Sequence, residues 1–277
     1  MNKSLISGCC VMMMLVGCTG EDKNSSGAAP IDDSYKDELN IEELDFNAGA
    51  TATVDQLTGT WGISDEDGSQ TITLNADGSG TYRETEIWDG EQTSYSAPLT
   101  WEVDNSVLSA VLSERFTEDG LSCTETDQVV TTVAVVNNGL VMDALLRTAG
   151  TGNGYAGTWK AVFGEYESAQ CGNEWEKYSG FEEITLQMTA DSFVLNESWK
   201  GSEEWNVSGD SGSDSDSDAE SLEGTITDNG DYLVLEANDD YGTVLTARLL
   251  NNNVLQLSWN DPEYALDGFE NDIYRRQ

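Results

Sequence analysis

The chain has 277 residues, with 12 Lys and Arg against 52 Asp and Glu, no His, 5 Cys and a formal net charge of -40. That length buries a sizeable core in one or two domains, and that charge repels nucleic acid and anionic lipid as direct partners. The absence of His excludes Ser-His-Asp and Cys-His catalysis and most zinc sites, while three Pro and 38% hydrophobic residues suit a folded, β-rich chain.

In chain order, Lys3 is followed by an apolar run from Leu5 to Val16, of secretory-signal length and too short to span a bilayer. The run ends in Leu15-Val16-Gly17-Cys18, which resembles a bacterial lipobox. The resemblance implies cleavage before Cys18 and acylation of that residue, so 1–17 is expected to be a lipoprotein signal peptide. The alternative is an ordinary signal peptide that happens to contain Cys. More than one acyl chain on Cys18 would anchor the chain firmly to a membrane. Thr19, in place of Asp, resembles lipoproteins sorted to the outer membrane, so the expected location is the bacterial cell envelope. Residues 18–50 are polar and read as the acylated Cys and a flexible tether. Within them, 37–46 could form a short helix with Leu39, Ile41, Leu44 and Phe46 partly on one side.

From Leu57 onward the pattern is that of strands. Thr71 to Leu74 alternates, Asn75-Ala76-Asp77-Gly78 turns, and Gly80 to Ile87 alternates again, which predicts a hairpin. Val129 to Val136, Asn137-Asn138-Gly139 and Leu140 to Leu146 predict another. No long stretch has helical periodicity. The two halves repeat: Gly59-Thr60-Trp61 recurs as Gly157-Thr158-Trp159, and Thr132 to Asn138 as Thr246 to Asn252. A fold used twice accounts for this, with a first domain over 51–150 and a second over 151–277.

These residues resemble the small bacterial lipocalin-like domains, relatives of the calycin barrels. The resemblance rests on the two Gly-x-Trp openings, each followed by antiparallel hairpins. It implies an all-β fold of two tandem antiparallel β-barrel or meander domains. It also implies that Trp61 and Trp159 plug the barrels, with an Arg of a last strand across each; Arg147 and Arg275 are the candidates. Eight strands leave room for one small ligand at most.

Of the Cys that remain after cleavage, Cys123 and Cys171 are free to form a disulfide. Two buried thiols, or bonds to other chains, are the alternatives. Residues 208–221 form an acidic Ser/Asp run, including Asp210, Asp214, Asp216, Asp218 and Glu220, expected to be a solvated loop. Calcium is its functional alternative, but the run lacks EF-hand spacing, and no metal site or cofactor is assigned. No catalytic motif stands out, so no enzyme is expected. Trp88, Trp175, Trp199 and Trp205 lie in polar stretches, where rings either stack on sugars or cover a barrel mouth. The leading function is a non-catalytic, membrane-anchored lipoprotein that takes a small hydrophobic ligand in one or both barrels. The alternative is a structural or interaction lipoprotein with solid barrels, contacting a protein partner or calcium through acidic loops.

Overall fold

A computed structural model describes residues 24–25, 29–47, 51–64, 68–88, 91–118, 120–150, 154–207, 209–259 and 273–277. The signal sequence and Cys18 lie outside the described residues. The protein is all-β, and the strands among the described residues form one large antiparallel meander sheet of 18 strands. β1 (Asn24–Ser25) is a short edge piece beside Glu114 and Arg115. The expected hairpins form, and their turns explain why. Asn137 and Asn138 take φ of 50° and 62°, the left-handed pair that a two-residue hairpin turn requires and that Asn tolerates.

Strand pairing runs in two closed circuits. The first contains β2 (Gly59–Ser64), β3 (Gly68–Leu74), β4 (Ser79–Trp88), β5 (Glu91–Asp104), β6 (Val107–Glu118) and β7 (Leu121–Thr132). β7 bends at Val133 into β8 (Ala134–Val136), which pairs with β9 (Gly139–Val141). The second contains β10 (Leu145–Ala149), β11 (Gly157–Cys171), β12 (Glu174–Met188) and β13 (Ser192–Val207), then β14 (Asp210–Asp228), β15 (Leu233–Ala237), β16 (Val244–Asn251) and β17 (Val254–Ser258).

The circuits do not respect the expected boundary at 150. β10, from the end of the first half, pairs with β11 and β17 and closes the second circuit. The first circuit is closed from the far end of the chain, where β18 (Ile273–Arg276) pairs with β2 and β9. Each Gly-x-Trp strand needs a closing neighbour. The second finds it just upstream, and the first finds it at the C-terminus.

Three clusters of side chains fill the fold. Trp61, Leu74, Tyr82, Trp101 and Leu140 pack inside the first circuit, and Trp159, Leu186, Phe193, Leu235 and Leu255 inside the second. The third lies between the circuits and corrects the expected tether. α1 (Ser34–Glu38) and a 3-10 turn over Ile41–Glu43 bury Tyr35, Leu39, Ile41, Leu44 and Phe46 against Val130, Val162, Phe181 and Ile273. Residues 29–47 are therefore packed. Polar contacts fix the segment: Gln128 exchanges two hydrogen bonds with the Asp32 backbone, at 2.8 and 3.0 Å. Asn105 donates to the Ile41 and Leu44 carbonyls. The spacing of Leu39, Ile41, Leu44 and Phe46 carried this signal. The surrounding charge hid it, because those charges point outward while the apolar side chains point in.

The acidic run is also not a loop. Asp210 to Thr225 pairs residue for residue with β13. Alternation places Asp214, Asp216, Asp218 and Glu220 on one face and Ser213, Ser215, Ser217 and Ala219 on the other. The carboxylates of Asp214, Asp216 and Asp218 each accept from the next residue's N–H at 2.8–2.9 Å. Alternate N–H groups leave a strand on one edge, and β13 occupies the other. The Asp-x repeat thus caps its own free edge, which blunts pairing with a further strand.

Candidate functional site

The two Gly-x-Trp sites repeat in detail. Trp61 and Trp159 are fully buried, and each indole N–H donates to the carbonyl four residues earlier, Leu57 at 2.7 Å and Tyr155 at 2.9 Å. A guanidinium covers each ring, but the partners differ from those expected. Arg147 lies 4.1 Å from the Trp159 ring, in the other repeat. Arg276, and not Arg275, lies 4.7 Å from the Trp61 ring. Pairing register gives the reason. Arg147 is directly opposite Trp159, and Arg276 directly opposite Trp61, and directly paired side chains share a face. Arg275 is opposite Gly62 and Gly139, so its side chain leaves on the other face. A Cβ on Gly157, at φ +148°, would stand 2.6 Å from the Arg147 guanidinium. Glycine is required there for the guanidinium to reach its place.

Cys123 and Cys171 form a disulfide. They are directly paired across β7 and β11, the ladder that joins the two circuits.

The first circuit leaves little space for a ligand. Its interior has a cavity of about 20 Å³, lined by Ile72, Tyr82, Leu99, Leu112, Asp127 and Met142 among others. That is room for about one water.

The ends of β11 to β14 extend past the second circuit as a four-stranded ribbon, flanked on one side by β7. One of its faces carries carboxylates and aromatic rings in register. One row reads Asp218, Trp199, Glu182, Phe163, and another reads Asp214, Glu203, Tyr178, Glu167, Asp127. Between them lies Asp216, Gly201, Gly180, Glu165. The rings lie down over this glycine row. A Cβ on Gly201 would meet the Trp199 ring at 2.5 Å, and one on Gly180 would meet Tyr178 at 2.6 Å. Trp205 lies over Gly212 in the same way. Glycine exposes bare backbone, and a flat ring covers it. The result is an aromatic floor with Glu165 and Asp216 at its ends. Trp175 is on the opposite face, beside Lys177, and the Trp88 side chain lies outside the described residues.

Burial, and then the Glu167 and Asp127 charges, push Glu165 up to about 7. Burial, then Glu197 and Asp143, does the same for Glu182, also to about 7. In an unfolded chain both ionise near the ordinary 4.5. The fold therefore binds more protons than the unfolded chain between about 4.5 and about 7, so stability falls as pH rises through that window. The melting temperature is expected to rise on acidification from pH 8 to about pH 5.5. Because general relief of charge repulsion acts in the same direction, Glu182→Gln is the control and should flatten the slope. An unchanged slope in that variant would remove Glu182 as its source.

Sequence reasoning missed this face because it depends on four strands in register. A trace was present locally, since Tyr178 and Gly180, like Trp199 and Gly201, stand two apart. Among the described residues no three or more Asp, Glu or Cys side chains converge to hold a metal ion, and no helix is long and apolar enough to cross a membrane. The chain matches no family model, no curated protein and no solved structure, so its function has to be read from its own residues.

Proposed function

We propose that the chain is a non-catalytic, lipid-anchored envelope lipoprotein, made of two lipocalin-like barrels, the first of them nearly solid inside. Its ribbon face docks an extended basic polypeptide. For the first barrel the carrier function is the weaker reading, since a one-water cavity does not hold an apolar ligand. The observation that carries the interaction reading is the floor of flat Trp199 and Tyr178 rings set between rows of carboxylates. Rings of this kind attract Lys and Arg through their faces, and flanking carboxylates attract the same groups. The overall charge of -40 would speed the encounter. The lipobox supplies the anchor at Cys18, and the disulfide agrees with an oxidising envelope compartment.

The test is titration of a ten-residue peptide alternating Arg and Ser, followed by Trp fluorescence. Binding should weaken as salt rises, and Trp199→Ala with Trp205→Ala should weaken it at least tenfold at fixed salt. A double variant that binds like the parent would sink the proposal. Peptide binding indifferent to salt would replace the basic partner with a neutral one, such as a saccharide.

A further inference from the structure

The interior of the first circuit changes character one pleat above its apolar cavity. There Glu84 stands on β4, directly opposite Gln70 of β3 and Tyr95 of β5. Glu84 is 5% exposed and Glu114, on β6, is 6% exposed. One Glu84 oxygen, Oε1, accepts from Gln70 Nε2 at 2.8 Å, and Gln70 Oε1 accepts from the Tyr274 hydroxyl at 2.7 Å. The other oxygen, Oε2, is buried with no hydrogen bond. The Tyr82 hydroxyl stands near this carboxyl and is likewise buried without a hydrogen bond. Its ring lies 6.1 Å from that of Tyr95, whose hydroxyl stands beside Glu114. Glu114 in turn is directly opposite Glu125, an unfavourable placement for like charges.

A carboxylate taken from water with one oxygen unbonded is costly. No Lys or Arg among the described residues pairs with Glu84. What this layer lacks is a positive charge. Tyr82 also lines the apolar cavity one pleat below the Glu84 layer, which leaves space for about one water next to that layer. A primary ammonium head is about that size, and a trimethylammonium head is several times larger. Tyrosine faces suit either cation, so size and donors decide between them.

We propose that this end of the first circuit is a binding site for a primary alkylammonium group, with Glu84 as its anion and Tyr82 and Tyr95 as its walls. The group would belong to a free alkylamine or to a lysine side chain, since both offer the same head on an apolar stem. The site is separate from the ribbon face and stands or falls without it.

The test uses the full chain in non-ionic detergent at pH 7.5 and fixed salt. Titration with n-butylammonium is followed by calorimetry, alongside n-butyltrimethylammonium. The primary amine should bind at least tenfold more tightly, and Glu84→Gln should remove that preference without lowering the melting temperature. Equal binding of the two cations would overturn the site, because it would reduce the effect to diffuse attraction by an acidic surface. Absence of binding by either would overturn it too. The comparison of cations is made on the parent protein, so it remains decisive if Glu84→Gln fails to fold. N-acetyl-lysine-amide in place of butylammonium distinguishes the sources, since the blocked lysine must bring its backbone to the rim. If the amine binds while the Arg-Ser peptide does not, the ribbon reading fails and this site remains.

Discussion

Arg147→Ala is expected to unfold the protein at a temperature roughly 10 °C lower, while Arg276→Ala changes it little. Both guanidinium groups cover a buried Trp, so the cation–π contact alone does not separate them. Their surroundings do. Arg147 is 1% exposed and donates to the carbonyls of Asn252 at 2.6 Å and Ala156 at 2.7 Å, and to that of Gly154. Those carbonyls come from the second circuit and the turn leading into it. Removing the side chain leaves buried acceptors without donors, each costing about 1–3 kcal/mol before water enters, and opens a void over Trp159. A total on the order of 4 kcal/mol follows. Arg276 is exposed, and the carbonyls of Gln56 and Thr58 that it serves at 3.0 Å have water as a substitute, so about 1 kcal/mol or less is lost. Arg147→Lys should not rescue, because a single ammonium does not reproduce a planar fork aimed at three carbonyls. Calorimetry of the three variants is the check. Equal shifts for Arg147→Ala and Arg276→Ala would mean that the ring contact, and not the carbonyls, is what matters.

That contrast also marks where sequence reading stops. The Gly-x-Trp openings, the hairpins and the disulfide partners were legible because their signals are local or leave few combinations. Asn137-Asn138 announces its own turn, and only two Cys remain outside the first 18 residues. The arginines were half legible. Their residue type followed from the family resemblance, but Arg275 and Arg276 differ by one position, and one position on a strand changes the face. Register alone decides it, and the register of β18 is set by β2 and β9, more than 130 residues away. The exchange of closing strands was invisible for the same reason, as Leu145 to Ala149 looks equally suited to either circuit. The Ser/Asp run misled for a different cause. Its residues favour turns and solvent when alone, and it becomes a strand because β13 templates it and its own carboxylates cap the free edge. Glu84 gave no local warning, since its burial depends on Gln70, Tyr95 and Tyr274 arriving from three other strands.

Replacing both Cys123 and Cys171 by Ser should cost about 4 kcal/mol by the chain-entropy account, given a separation of 48 residues, or roughly 10 °C in melting temperature. The position of the bond predicts where the loss appears. Cys171 and Cys123 are the outermost pair of the β7–β11 ladder, which runs inward to Phe163 and Thr131. At its inner end the ladder is backed by the packed segment around Tyr35, with Val130, Val162 and Phe181. At its outer end the backing is polar, and Glu165, Glu167 and Asp127 crowd one face. Mutual repulsion there favours separation of the strands, and the disulfide opposes it. Amide exchange should therefore accelerate first at Glu165 to Gln170 and at Thr124 to Gln128, while amides around Trp159 and Leu186 keep their protection until global unfolding. Raising pH from 6 to 8 should widen this difference, because Glu165 loses its proton in that range. Uniform acceleration across both circuits would instead place the effect in the unfolded chain alone. The ribbon would then hold together without a staple.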